Sequence, residues 1–234
     1  MGGIRERLID LLFIIPAILG ALTIHEFSHA LVSSMLGDPL PKEKGRLSLN
    51  PFDHLDPAGI LMLILVGFGW AKPVHVDPRY YKNPRLGMSL VAVAGPVSNL
   101  ILAFILCFFL ALLSLVPISS NLVMIIYQLL FYGISINIGL AIFNLIPVPP
   151  LDGSKVLFSF LPPKAYNKFL QVERYGIIIL ICLLLGIPSR LLSLIGLPGT
   201  VTMRFDLTTY LSIARSAIMN AYFFFISMII NLFT

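Results

Sequence analysis

The sequence predicts an all-α integral membrane protein, a polytopic helical bundle of about five to six membrane segments, with a short re-entrant or β-hairpin-containing cytoplasmic region between the first two core helices. Three observations predict it. Of 234 residues, 58% are hydrophobic and 12% charged, and the mean hydropathy is +0.94, far from the averages of soluble domains. The apolar residues gather in runs near the roughly 20 residues that a helix needs to cross the hydrocarbon. The charges lie between those runs, dense in some loops and missing from others.

Taken in order, the first run is Leu8 to Met35. It is too long for the apolar part of a secretory signal and no small-residue cleavage site follows, so it reads as a retained helix. Ala58 to Ala71 is too short to span comfortably and reads as a re-entrant or shallow segment. Leu86 to Val116, Leu122 to Ile146 and Tyr175 to Ile195 are full spans, and Leu207 to Phe233 is a fifth, weakened by Arg215 and several hydroxyl residues. Cys107 and Cys182 sit in separate apolar runs without a partner at short spacing, which fits packing better than a disulfide or zinc–cysteine site. The sequence shows no repeat, low-complexity tract or nucleic-acid motif. Its net charge of +5 is assigned to orientation in a lipid bilayer, with no nucleic-acid partner.

The loops give that orientation. Lys42, Lys44, Arg46, Lys72, Arg79, Lys82 and Arg85 lie between Gly37 and Gly87, and Lys155, Lys164, Lys168 and Arg174 between Gly153 and Arg174, whereas Pro117 to Asn121 carries no charge. The positive-inside bias puts the first two regions in the cytoplasm and the third outside. Arg5 and Arg7 oppose this, partly balanced by Glu6 and Asp10.

Inside the first run stands IHEFSHA, Ile24 to Ala30. His25 and His29, four residues apart, project from one helix face at a spacing that lets two imidazoles grip one zinc ion. Glu26, beside them, is poorly placed as a ligand but well set to act as general base on a metal-bound water. The alternative is a pair of structural histidines in a polar helix contact. Ionisable groups at membrane depth cost about 2.5–3.5 kcal/mol each on insertion scales, so three in five residues want a common cation. A catalytic zinc takes a third protein ligand. The topology brings the end of the Leu122 to Ile146 helix, FNLIPVPPLDG, to the same side, and Asp152 is its candidate, although Asp-Gly alone also fits an ordinary turn. Pro147, Pro149 and Pro150 break the helix there. Irregular backbone at that depth must be buried or line a wet cavity, so Pro147 and Pro149 are candidate substrate-binding positions.

HEFSH (His25 to His29), GPVSN (Gly95 to Asn99) and NLIPVPPLDG (Asn144 to Gly153), in that order, resemble the motifs of the site-2 proteases, a family of intramembrane zinc metalloproteases. GRLSLNP (Gly45 to Pro51), HLDP (His54 to Pro57) and GWAKPV (Gly69 to Val74) look like its compact prokaryotic branch. The resemblance covers roughly Leu8 to Leu161. It implies His25, His29 and Asp152 as ligands of one Zn2+ per chain, Glu26 as base, and Asn144 as a catalytic group steadying the oxyanion or the substrate backbone. It suggests that Asn99 lines the active-site cavity or helps to position substrate, and it implies a three-helix core with the zinc near the cytoplasmic face. The division that follows is a catalytic transmembrane core over 1–161 and accessory helices over 162–234. The expected activity is hydrolysis of peptide bonds within or next to transmembrane segments of membrane-anchored proteins, in the plasma membrane of a prokaryote. RLSL, Arg46 to Leu49, is a candidate strand for pairing with an extended substrate, since a helical substrate must unwind to expose its carbonyls. The alternatives are a metal-binding membrane transporter and a non-catalytic membrane binding protein. His54 and His75 are expected to be solvated loop residues, and Asp53, Asp56 and Asp77 turn residues.

Overall fold

The computed structural model describes residues 4–66, 71–115, 120–162, 165, 174–196 and 207–230. Helix α1 is Ile4–Met35, α2 Leu40–Glu43, α3 Pro57–Val66, α4 Pro84–Ser114 and α5 Asn121–Asn144. After them come α6, Asp152–Ser159, α7, Gly176–Leu184, α8, Ile187–Leu194, and α9, Leu207–Ile230. Of these, α1, α4, α5 and α9 are long and apolar enough to cross a membrane, and α7 with α8 forms a bent pair that raises the count to at most five. Large apolar side chains such as Leu12, Ile101, Leu122, Ile177 and Phe224 stand exposed on these helices. Only lipid accommodates such a surface without penalty, and the chain is a multi-pass membrane protein.

Local chemistry sets the helix ends. Asn83 accepts a hydrogen bond from the Leu86 N–H at 3.2 Å ahead of Pro84, and α4 starts there. Ser120 does the same for α5 through the Val123 N–H at 3.3 Å. Three prolines follow the end of α5 and stop it from continuing.

The bundle is built on α1, α4 and α5, each packed on the other two, with α6 against α4 and α9 against α5 and α4. Small residues, Ala21, Ala30, Ala92, Ala103 and Ala141, are buried and let the backbones approach. Gly133 belongs to the same set, since a Cβ there would come within 2.9 Å of Leu106. Half of the bundle is closed by Ala103, Cys107, Leu110, Ile134, Ile138 and Ile226 of α4, α5 and α9. Tyr222 of α9 adds a hydrogen bond to the Leu100 carbonyl at 3.2 Å.

Three expectations change. Tyr175 to Ile195 is not one straight span: α7 and α8 meet at 60°. Gly186, at φ +62°, ends α7 in the left-handed conformation and Pro188 opens α8, a pairing of residues that stops one helix and starts another. His54 is buried, its Nε2 donating to the Ser48 carbonyl at 2.7 Å, while His75 is exposed as expected. Between α2 and α4 the described residues hold no strand, only a bridge from Leu55 to Ala71. Arg46 of RLSL turns inward to the Asp53 carbonyl, and Asn50 caps a 3-10 turn at Pro51–Asp53. Asp56 and Asp77 are turn residues, accepting from the N–H groups of Ala58 and Arg79. Gly67 to Trp70, Pro117 to Ser119, Lys164, Lys168, Arg204 and Asp206 lie outside the described residues.

Candidate metal centre

His25 and His29 stand one turn apart on α1 and are buried with their rings edge to face, centroids 4.6 Å apart. Asp152, at the first turn of α6, brings Oδ2 to 3.1 Å from the Nε2 of each. The structure therefore brings together three ligand atoms, one from each residue, all within 4.8 Å of one another. Glu26 and Asn144 line the same cavity of about 170 Å³, together with Pro73, Val74 and Val76.

Two glycines make this approach possible. A Cβ on Gly95 of α4 would lie 2.6 Å from His25 Cε1 and 2.6 Å from His29 Nε2, so both rings rest where a side chain would be. On Gly153 it would lie 2.2 Å from the Leu145 carbonyl oxygen, so only glycine lets α6 start against the end of α5. Pro96 follows Gly95 inside α4 and leaves the Ala92 carbonyl without its helical donor.

Hydrogen bonds fix which ring nitrogens face inward. His29 Nδ1 is 2.7 Å from the Val91 carbonyl, which can only accept, so Nδ1 carries a proton. His25 Nδ1 is 2.7 Å from Asn99 Oδ1. Asn99 also gives its Nδ2 to the Ala21 carbonyl at 2.9 Å and to Asn137 Oδ1 at 2.7 Å, which leaves Oδ1 as the acceptor. In neutral rings both Nε2 atoms therefore point lone pairs at a carboxylate oxygen. Three electron-rich atoms at such range require positive charge among them, either protons on the imidazoles or one cation. The donor set, two imidazoles and a carboxylate with both outer N–H groups engaged, is that of a zinc site with room for a further ligand.

Lys155, three residues on, donates to Asp152 Oδ1 at 3.4 Å and lines the cavity. Glu26 accepts the Val74 N–H at 3.1 Å. Asn144 uses one amide hydrogen on the Leu140 carbonyl at 3.0 Å, which leaves the other free to donate.

Other expected site residues lie elsewhere. Asn99, expected at the cavity, is fully buried behind His25 and does not line it. Pro150 reaches the cavity wall, whereas Pro147 is exposed away from it and Pro149 is buried against Gly176. Asn137 and Lys155 were not singled out from the sequence. An amide inside the apolar run Leu122 to Ile146 was the available signal for the first, and the position one helical turn beyond Asp152 for the second.

Residues 114–187 match the model of Peptidase family M50. The chain is 42% identical over 177 residues to "Putative zinc metalloprotease YwhC" of Bacillus subtilis, a match covering 73% of this chain and 79% of the relative. It is 27% identical over 181 residues to "Putative zinc metalloprotease Rip2" of Mycolicibacterium smegmatis, covering 74% and 67%. To "Putative zinc metalloprotease MJ0611" of Methanocaldococcus jannaschii it is 43% identical over 101 residues, covering 42% and 48%. No solved structure matches.

Proposed function

The chain belongs to Peptidase family M50, the site-2 proteases, and is an intramembrane zinc metalloprotease; we propose that His25, His29 and Asp152 hold its zinc and that Glu26 is its general base. The observation that carries the assignment is the convergence of His25 Nε2, His29 Nε2 and Asp152 Oδ2 on one point. A zinc ion held there supplies Lewis acidity and a water acidified toward neutral pH. Glu26 takes the proton of the attacking water and returns it to the leaving amine. Asn144 donates its free N–H where negative charge develops on the substrate carbonyl. Pro73, Val74 and Val76 form part of the cavity wall.

The finer placement belongs to this proposal. The metal centre lies toward the cytoplasmic side of a prokaryotic plasma membrane. What supports it is the cluster's position in the last third of α1, the first half of α4 and beyond the end of α5, at the end of the bundle that bears Lys42, Lys44, Lys72, Lys82 and Arg85. At 1.5 Å per residue α3 is about 15 Å long, half a bilayer core, so it enters and leaves by that face. Residues 1–161 form the catalytic core and 162–234 the accessory part. The substrates are membrane-anchored proteins cut within or beside a transmembrane segment.

The test is the zinc content and proteolytic activity of detergent-purified protein. The reading requires about one zinc per chain, lost in Asp152→Ala and in the double change His25→Ala, His29→Ala. It also requires a Glu26→Gln variant that keeps zinc but no longer hydrolyses a transmembrane peptide. Folded protein that takes up no zinc, or a Glu26→Gln variant of undiminished activity, refutes it.

A further inference from the structure

The polar chain behind His25 continues past the residue that touches it. Asn137 lies on α5, buried, and gives its Nδ2 to the Gly133 carbonyl one turn back at 2.8 Å. A backbone carbonyl only accepts, so this bond fixes the Asn137 amide with Oδ1 toward α4. There it receives one hydrogen of Asn99 Nδ2 at 2.7 Å, while the second goes to the Ala21 carbonyl of α1 at 2.9 Å. With both hydrogens spent, Asn99 can offer His25 only its oxygen. The Asn99 amide is held from two sides, by Asn137 Oδ1 and by the Ala21 carbonyl, and both ends of the chain are backbone carbonyls that cannot change role.

We propose that Asn137 and Asn99 form a relay that holds His25 as the Nδ1–H tautomer, keeping its Nε2 lone pair on the metal point, and that Asn137 is thereby a positioning residue for the zinc although it touches neither the ion nor the cavity. The inference rests on the zinc assignment above and adds the source of the tautomer. His29 has no such device, since the Val91 carbonyl settles its ring directly. His25 is bound to a side-chain amide, a group that offers a donor as readily as an acceptor when rotated. Only its fixed partners make it an acceptor. Losing Asn137 leaves one buried N–H of Asn99 without a partner and only the Ala21 carbonyl to hold the amide against a rotation that would turn Nδ2 toward His25 and favour the wrong tautomer. The relay also crosses all three core helices, α5 to α4 to α1, so the register of α5 enters the definition of the metal site.

The experiment uses full-length protein in detergent with ¹⁵N-labelled histidine. His25 is assigned through His25→Ala, and Asn137→Leu is compared with wild type. Leucine is close in size, neutral and suited to a membrane helix; if it crowds the contact, Asn137→Ala removes the amide alone. The metal-free wild type should show a proton held on His25 Nδ1, and the variant should lose that Nδ1–H signal, with zinc affinity, measured by chelator competition, lower by about 10- to 100-fold. Asn137→Asp, which keeps an acceptor for Asn99, should restore the wild-type tautomer. A folded Asn137→Leu or Asn137→Ala variant with the His25 tautomer and zinc affinity both unchanged overturns the relay, as does a folded Asn137→Asp protein whose tautomer matches the leucine variant. Wild-type protein that shows the relay tautomer but binds no zinc would instead refute the metal assignment.

Discussion

The two halves of the bundle are fastened by opposite means. In the half that carries the metal point, α1, α4, α5 and α6 are joined by directed polar contacts: His25 to Asn99, Asn99 to Asn137, His29 to Val91, and Asp152 to both imidazoles. In the other half α4, α5 and α9 meet through Ala103, Cys107, Leu110, Ile134, Ile138 and Ile226. Lipid tails are as apolar as leucine, so the second half gains from close packing and not from leaving water. Packing of that kind tolerates small displacements, whereas a site of 3.1 Å contacts does not. The division teaches that the polar half defines geometry and the apolar half supplies cohesion, so damage to each should register in a different measurement.

The largest effect should come from the smallest addition. Gly95→Ala places a carbon within 2.6 Å of both imidazoles, and zinc binding and hydrolysis should fall below detection while helical content stays near wild type. Retained zinc would show that the two halves are equally forgiving. Glu26→Gln should lower turnover by about 10²- to 10⁴-fold with zinc content intact. Asn144→Leu should cost about 10²-fold in kcat, as for a lost oxyanion donor, with little change in zinc affinity.

The apolar half should respond in stability alone. Ile226→Ala opens a cavity where α9 meets the cluster and should cost about 2 kcal/mol, read as a lower Tm, with metal affinity unchanged. Tyr222→Phe, which removes the hydroxyl bonded to the Leu100 carbonyl, should cost about 1 kcal/mol and nothing in zinc binding. A loss of metal in either variant would show that α9 also holds the site in register.

Much of the metal half was legible because its signals are local. The i, i+4 spacing of His25 and His29 needs only a helix, and Asp152 needs only a topology that returns α5 to the same side. What could not be read depended on a neighbour. Gly95 looks like any small residue of a helix contact until the rings resting on it are placed. Asn99 carries the same motif whether it faces a cavity or the back of a histidine, and only the positions of Ala21 and Asn137 decide. The bend between α7 and α8 was written in Gly186 and Pro188, but the combined length of the apolar stretches on either side outweighed them. RLSL alternates like a strand, yet buried Arg46 and the turn at Pro51 take its backbone elsewhere.

The contact between the Val74 N–H and Glu26 has a kinetic meaning. A helix is about 10 Å across, and the backbone of residue 74 sits 3.1 Å from the Glu26 carboxylate. No intact helix fits between them, so, on the assignment of Glu26 as base, a substrate entering by this gap would meet the catalyst only during the fraction of time that it is uncoiled. Turnover then scales with that occupancy. Exchanging one alanine for glycine near the scissile bond, a change of about 1 kcal/mol in helix propensity, would raise it by roughly fivefold, and the composition of the substrate would set its lifetime without any side chain being recognised.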